Sequence, residues 1–362
     1  MHRLMPGVTI LEHELSELRL LVERQAGILL DCPNSALAAH VGEYLEHQEL
    51  ESCGALLEHL RASDRDPSVL PAFLDGILNI QSGFFRHPGA MNALARFVIP
   101  QKINSRKPDE APGTLRVWSA GCGTGEETYS IAMAVCDALG SGAGNGSANG
   151  NGGKDVKEKT PAGRCGITDC APAWAMSPAK DWSIHIVGSD LLASAIDVAE
   201  RGLYPQSALT GLPPATIRTF FSKIGTANGG QNGAADGPQN PVTNGSVAGS
   251  RNGANGSNGN GVHLLVKPRL RSLVTFNTMN LTKPVYIGRF DCIFCMDVLP
   301  HLSRAQRCAL IERLHLYLEP GGYLFLSQTE KLYAPNLNFR PETYDGYTLH
   351  RKPLAAAAAY GR

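Results

Sequence analysis

The chain has 362 residues, 43% of them hydrophobic, and its 33 basic and 33 acidic residues balance to a net charge of zero. A neutral chain has no overall field that would favour nucleic acid, so nucleic acid is not expected as a partner. No apolar run is as long as a membrane span and the N-terminus lacks a signal-peptide pattern, so membrane insertion is not expected. Nine cysteines without regular spacing fit reduced thiols in a cytoplasm, and no metal site is expected.

Residues 10–85 are predicted to be entirely helical. Leu11, Leu15, Leu18, Leu21 and Val22 follow a three-to-four residue period that stops near Gly27. Further helical patterns run over Ala36–His47, Cys53–Arg61 and Val69–Ile80. Residues 1–85 hold five arginines and no lysine against thirteen acids, which excludes a basic, anion-binding module.

The stretch Gln81–Pro88 follows, with two adjacent phenylalanines and an arginine. Phe84 and Phe85 are predicted to be core residues that join two parts of the chain. Arg86 suits a carboxylate clamp, because its planar guanidinium can donate two parallel hydrogen bonds. Ala90–Ile103 is predicted to be a linker helix, followed by an exposed loop up to Gly113.

A glycine-rich turn lies between a predicted strand at Leu115–Ala120 and a predicted helix at Thr128–Leu139. Gly121, Gly123 and Gly125 let the backbone approach a ligand, as in nucleotide-binding α/β domains. Glu126 and Glu127 at the helix start disfavour a phosphate and favour a ligand with an amino group. S-adenosylmethionine therefore fits better than NAD or ATP, although both glutamates could instead simply complement the helix dipole.

The later elements alternate between strand and helix. Trp182–Asp190 is predicted to be a strand whose final acid binds ribose hydroxyls, caps the next helix, Leu191–Arg201, or does both. Further strands are predicted at Val262–Pro268, Leu273–Phe276, Arg289–Val298 and Tyr323–Leu326, with a helix at Arg304–Leu318 and a turn at Glu319–Gly322. The alternation predicts an α/β fold with a mostly parallel sheet.

Two segments, at about 140–179 and 225–261, consist largely of glycine, asparagine, alanine and other small or polar residues. Such segments bury too little apolar surface to offset the entropy of ordering, so both are predicted to be disordered insertions. The alanine-rich tail at 353–362 is predicted to be disordered as well.

These motifs together resemble the chemotaxis receptor glutamate methyltransferases, the CheR family of class I S-adenosylmethionine-dependent methyltransferases. The resemblance is carried by Phe84-Phe85-Arg86, Val117–Glu127, Tyr129–Ala132, Ser189-Asp190, Arg201–Tyr204, Asn280-Leu281, Phe290–Cys295, Leu318–Phe325 and Ser327–Glu330. It implies a Rossmann-like sheet with helices on both faces, a small all-α N-terminal domain and a small β-subdomain. The implied boundaries are 1–85 for the helical domain, 86–110 for the linker helix and 111–352 for the methyltransferase domain.

The resemblance also implies the reaction and its residues. S-adenosylmethionine would donate a methyl group to a glutamate side chain of a chemoreceptor's cytoplasmic domain, giving a methyl ester. Arg86 would line both the cofactor and the acceptor carboxylate. The cofactor site would be formed by Ser82, Arg86, Gly121, Gly123, Gly125, Glu126, Glu127, Asp190, Asn280, Leu281, Met296 and Asp297.

Three positions depart from the family pattern. Typical members have Arg-Asn after the cysteine of strand four and a tyrosine five positions beyond that arginine, where this chain has Met296, Asp297 and His301. His301 is the candidate replacement for the tyrosine near the transferred methyl group, and Asp297 would repel a carboxylate acceptor. The insertion at 225–261 interrupts the β-subdomain and argues against tethering by a receptor tail peptide.

The departures leave two other functions open. One is a methyltransferase of the same fold with a different acceptor. The other is a non-catalytic module that binds S-adenosylmethionine and signals through its acidic helices.

Overall fold

The computed structural model describes residues 10–62, 69–78, 81–105, 112–141, 182–224, 262–285, 287–332, 334 and 336–354. The second predicted insertion and almost all of the first lie outside these ranges, as does the tail beyond Leu354. Within these ranges no helix is both long and apolar enough to cross a bilayer.

The first four helices form one packed unit. They are α1 (Glu12–Ala26), α2 (Asn34–His47), α3 (Cys53–Arg61) and α4 (Val69–Ile77), as the periodicity predicted. Helix α1 ends where Gly27 takes a left-handed conformation, with φ of +75°. The core of this unit, which includes Leu18, Leu45 and Phe73, also takes in Leu192 and Ala195 from the second half of the chain.

The predicted linker helix is present but has an irregular middle. It consists of α5 (Pro88–Ala93), a π-helical turn (Leu94–Val98) and α6 (Ile99–Asn104). Pro100 has no amide proton and its ring would collide with the carbonyl of Arg96 in a regular helix. The wider π turn avoids that collision.

The remaining helices and the strands alternate along the chain. The helices are α7 (Glu126–Ser141), α8 (Ala193–Arg201), α9 (Pro214–Phe220), α10 (Pro268–Arg271) and α11 (Arg304–Tyr317). The strands are β1 (Gly113–Ala120), β2 (Trp182–Asp190), β3 (Leu203–Pro205), β4 (Phe221–Ile224), β5 (His263–Val266), β6 (Val274–Thr278), β7 (Phe290–Phe294), β8 (Leu318–Phe325), β9 (Arg340–Tyr344) and β10 (Tyr347–Arg351).

Seven strands form the main sheet in the order β6-β2-β1-β7-β8-β10-β9. The first five are parallel, and β10 runs antiparallel to both of its neighbours. Both faces are covered: Leu115 and Val117 of β1 point into the core beneath α5 to α7, whereas Trp118 and Ala120 point into the core beneath α11. This confirms the Rossmann-like fold class predicted from the sequence.

A second, three-stranded antiparallel sheet has the order β3-β5-β4 and corresponds to the predicted β-subdomain. Ile224 at the end of β4 lies opposite His263 at the start of β5. Residues 225–261 therefore connect two strand ends that are direct neighbours.

Two predicted boundaries differ in the structure. The predicted turn at Glu319–Gly322 lies within β8 and forms a bulge there, since β7 pairs with Leu318 and next with Tyr323, and Gly321 has φ of +84°. Gly321 N donates to Lys352 O and Lys352 N donates to Gly322 O, so the bulge stays bonded to the residue that follows β10. Strand β7 stops at Phe294, four residues before the predicted end. Asp297 has φ of +57°, outside the β region, so a regular strand does not continue through it to Val298.

Gly125→Ala is expected to lower the free energy of unfolding by about 2 kcal/mol. Gly125 has φ of +94°, and a β-carbon there would lie 2.6 Å from Cβ of Ala199 and 3.0 Å from the Tyr204 hydroxyl. Urea unfolding followed by circular dichroism measures the effect. Gly42→Ala is the matched control, since its β-carbon would meet nothing within 4 Å; equal midpoints for the two variants would contradict the prediction.

Candidate functional site

A cavity of about 440 Å³ opens at the carboxyl ends of β1, β2 and β7. In the strand order, the chain moves to one side of β1 to form β2 and β6 and to the other side to form β7 and β8. Ligands of open α/β sheets bind at such a switch point, outside the strand ends. The volume lies within the range usual for small-molecule sites.

The glycine turn forms the floor of the cavity. Gly121 and Gly123 have φ of +87° and +53°, and both line the cavity. A β-carbon on Gly121 would lie 2.4 Å from Val298 Cγ2, so glycine is required there. Gly125 is not among the cavity residues; its packing against α8 explains why it must be small.

Asp190 joins the end of β2 to this turn. One carboxylate oxygen accepts a hydrogen bond from Gly123 N at 2.9 Å, and the other accepts from Leu192 N at 3.1 Å. Burial raises the pKa of Asp190, and the amide hydrogen bonds from Leu192 and Gly123 oppose that rise. The N-cap of α8 is Leu192, so Asp190 orders the turn before the helix and does not cap the helix itself.

The two glutamates at the start of α7 have different surroundings. Glu126 is buried away from the cavity, where its carboxylate accepts from Thr124 Oγ1 at 2.6 Å. Glu127 lines the cavity, and Ser119 Oγ donates to it at 2.7 Å. Burial raises the pKa of Glu127 to about 7; the Ser119 hydrogen bond and Arg86 oppose this rise, whereas Asp297 and Glu330 add to it.

Asn280 and Leu281 lie on the opposite wall. The Asn280 side chain accepts from Thr282 N at 2.9 Å and donates to Ala26 O at 3.2 Å. Leu281 and Met279 present apolar surface to the cavity, as does Ile28 from the loop after α1. This wall suits a flat, largely apolar group such as adenine.

The segment that carries Arg86 is fixed by the start of α7. Phe85 N donates to Ser130 Oγ at 2.9 Å, and Phe85 has φ of +52°, a strained conformation for an aromatic residue. Phe84 packs edge-on against Tyr204 and Phe221 of the small sheet. The two phenylalanines therefore have the joining role predicted for them, and they hold Ser82 and Arg86 at the cavity.

The three unusual positions all line the cavity, and the His301 carbonyl accepts a hydrogen bond from Leu29 N at 2.8 Å, next to Ile28 of the apolar wall. Met296 is buried, whereas Asp297 is partly exposed and His301 is exposed. Asp297 Oδ2 lies 3.1 Å from His87 Nε2 and 3.4 Å from Arg86 Nη2. Because Arg86 and Asp297 are in contact and both act on the charge of Glu127, we assign the part of the cavity around these three residues to the reacting part of the ligand.

Sequence reasoning missed three contributors to the site. His87 directly follows Arg86, and that adjacency could have drawn notice to it. Glu330 accepts hydrogen bonds from the amides of Asp297, Leu299 and Ser327, at 3.2, 2.9 and 2.9 Å, and so shapes the loop after β7. Ile28 had no local signal, because it comes from the helical region and reaches the cavity only through the fold.

The residues that line the cavity fit S-adenosylmethionine. Glu127 can receive an ammonium group, Asp190 a ribose, and the Asn280-Leu281 wall an adenine ring. At Gly121 a β-carbon would collide with Val298, another residue of the cavity lining, so a larger residue would disturb the lining.

Comparisons with known proteins agree with this fit. The family model "CheR methyltransferase, SAM binding domain" matches residues 81–146 and 254–347. Chemotaxis protein methyltransferase 1 of Pseudomonas aeruginosa is 26% identical, covering 87% of this chain and 88% of its own length. Chemotaxis protein methyltransferase 1 of Vibrio cholerae is 24% identical, covering 91% and 92%.

Among solved structures, magnesium protoporphyrin IX methyltransferase from Synechocystis PCC 6803, with bound S-adenosylmethionine, aligns over 81% of this chain and 93% of its own. Its identity is 12% and its TM-score 0.29, so the fold assignment depends on the strand order above and not on this likeness. The strand order and the cavity agree with the family match, and together they indicate an S-adenosylmethionine-dependent methyltransferase that is similar to the CheR family.

Proposed function

We propose that this protein methylates glutamate side chains on the cytoplasmic domain of a chemoreceptor, giving methyl esters. The observation that carries the proposal is the position of Arg86, a guanidinium at the open end of the cavity beside the place assigned to the reacting group. The curated relatives are named as chemotaxis methyltransferases, which gives the acceptor class its support.

The reaction needs little acid–base catalysis from the protein. A glutamate is already ionised near neutral pH, and S-adenosylmethionine supplies an activated methyl group on a sulfonium. The carboxylate oxygen forms a bond to the methyl carbon as the carbon–sulfur bond breaks, and no proton moves. The protein's part is to align the two groups and to exclude water.

The site residues divide this work between them. We assign Glu127 to the methionine ammonium, Asp190 to the ribose and the Asn280-Leu281 wall to adenine, with Ser82 and Met296 nearby. Arg86 would orient the acceptor carboxylate by charge-assisted hydrogen bonds. His301 also lines the cavity, and we propose that its ring donates a hydrogen bond to the acceptor.

The test is transfer of tritiated methyl groups from S-adenosylmethionine to receptor-containing membranes. Label that is released as volatile methanol in mild base identifies a methyl ester. Cofactor binding without any base-labile label on receptors would overturn the proposal.

Arg86→Ala is expected to lower kcat/KM for the receptor at least tenfold, because hydrogen bonds to charged groups contribute about 1.5–3 kcal/mol. Initial rates of ester formation at varied receptor concentration measure it. Arg96→Ala, in the linker helix and outside the cavity, is the control. Equal rates for the two variants would show that Arg86 does not contact the acceptor.

A second candidate has one observation in its favour. Asp297 already places a carboxylate against Arg86, an arrangement that opposes a second carboxylate and so favours a different acceptor. Methyl transfer that is stable to base, on an acceptor without a carboxylate, would support that alternative.

A further inference from the structure

Asp297 is held in place by its backbone and not by its carboxylate. Its φ of +57° is in the left-handed region, which aspartate and asparagine tolerate better than most residues. Its amide donates to Glu330 Oε2 at 3.2 Å, and the same carboxylate of Glu330 also receives Leu299 N and Ser327 N. The carboxylate of Asp297 is therefore directed by the loop towards the cavity, whatever it contacts there.

That carboxylate is shared between two side chains. Oδ2 lies 3.4 Å from Arg86 Nη2 and 3.1 Å from His87 Nε2, so the histidine is the closer partner. Arg86 has a second anchor, since its Nη1 donates to Gln81 O at 2.6 Å. Arg86 thus keeps its place without Asp297. Asp297 occupies a nitrogen of the guanidinium that a ligand could otherwise bind.

We propose that Asp297 is a specificity-determining residue: an internal carboxylate that occupies Arg86 until an acceptor carboxylate displaces it, with His87 holding the displaced group. This inference rests on the proposed function, because it concerns a carboxylate acceptor. One Oδ2 atom lies within reach of both partners, so a small rotation of the side chain releases Arg86 and keeps the contact with His87.

Replacement of Asp297 by the acceptor carboxylate at Arg86 makes acceptor binding weaker and more selective. The cavity wall already carries the carboxylate of Glu127, and Asp297 and Glu330 are close enough to raise its pKa. An acceptor glutamate adds a further negative charge beside Asp297, and acidic residues next to it add more. The site therefore selects an acceptor glutamate with neutral or basic neighbours over one in an acidic run.

Asp297→Asn tests the proposal, since it keeps the left-handed backbone and the side-chain shape but removes the competing charge. The acceptor KM is expected to fall about two- to fivefold, the size of a partly exposed ion pair, with kcat changed less than twofold. Asp345→Asn is the matched control: Asp345 also has a positive φ, of 48°, and lies in the β9–β10 turn. Its acceptor KM is expected to stay unchanged.

His87→Ala, alone and combined with Asp297→Asn, completes a double-mutant cycle. In the otherwise wild-type protein it is expected to raise the acceptor KM about two- to fivefold, because the displaced carboxylate loses its second partner. Combined with Asp297→Asn, it is expected to change KM less than twofold relative to Asp297→Asn alone. Two peptides with the same acceptor glutamate, one flanked by acidic residues and the other by neutral residues, provide a further measurement. The difference between their KM values is expected to be smaller for Asp297→Asn than for the wild type.

The results separate this inference from the proposed function. Absence of base-labile label with the wild-type protein overturns the proposed function. If the wild type forms the ester but Asp297→Asn has an unchanged or raised acceptor KM, only the role of Asp297 is overturned. Calorimetry at pH 8 and thermal unfolding show that each variant binds the cofactor and is folded.

Discussion

Asp190→Ala is expected to weaken the binding of S-adenosylmethionine about 1000-fold. The substitution removes the carboxylate proposed to bind the ribose hydroxyls, and each hydrogen bond to a charged group contributes about 1.5–3 kcal/mol. It also leaves the amides of Gly123 and Leu192 without their acceptor, so that the glycine turn loses the contact that ties it to β2. Titration calorimetry measures the affinity.

The control for this experiment lies on the next helix. Asp197→Ala removes an exposed acid of α8, and its affinity is expected to stay within twofold of the wild type. Asp190→Asn retains one acceptor oxygen, and its affinity for S-adenosylmethionine is expected to lie between those of the wild type and Asp190→Ala. An Asp190→Ala affinity within threefold of the wild type would remove Asp190 from the cofactor site.

Glu127→Gln is expected to weaken cofactor binding about 30- to 100-fold, the size of a charge-assisted hydrogen bond in a partly buried site. Glutamine keeps the side-chain shape and can still accept the hydrogen bond from Ser119, so the lost interaction is the one with the methionine ammonium. Glu126→Gln is a close control, because Glu126 adjoins Glu127 but contacts Thr124 and not the cavity. Equal affinities for the two variants would contradict the assignment.

The pH dependence gives a second measure of Glu127. Its pKa is raised to about 7, so the free site loses its negative charge as the pH falls through 7. Only the ionised form pairs with an ammonium group, and its fraction falls from about one-half at pH 7 to about one-tenth at pH 6, an interval in which an α-amino group with a pKa of about 8 stays largely protonated. The affinity of the wild type is therefore expected to fall roughly fivefold over this interval. Glu127→Gln is expected to lack this step.

The elements of the fold were largely predictable because their signals are local. The strand before Gly121 and the helix after Gly125 each show in the order of apolar residues, and the acid that ends β2 follows directly from its strand. The end of β7 was not predictable in this way. It depends on Glu330, which reaches back to the amides of Asp297 and Leu299 after the chain has passed through α11 and β8.

The site was predictable as a set of residues but not as a set of contacts. Adjacent residues of a helix point about 100° apart, so only one of Glu126 and Glu127 can face the cavity, and the sequence does not say which. The contact between His87 and Asp297 joins residues that are 210 positions apart. The sequence indicated only that Asp297 would repel a carboxylate acceptor, whereas the fold places it against Arg86 and His87.

The neighbouring ends of β4 and β5 have a consequence for how this chain tolerates change in length. Ile224 and His263 are already paired across the small sheet, so residues 225–261 need only leave and return at the same place. The entropy of closing such a connection grows with the logarithm of its length, by about 0.6 kcal/mol for each doubling. Doubling the length of a short hairpin loop three times thus costs about 2 kcal/mol. Insertions and deletions in this hairpin are therefore expected to be tolerated without a change in the geometry of the cavity.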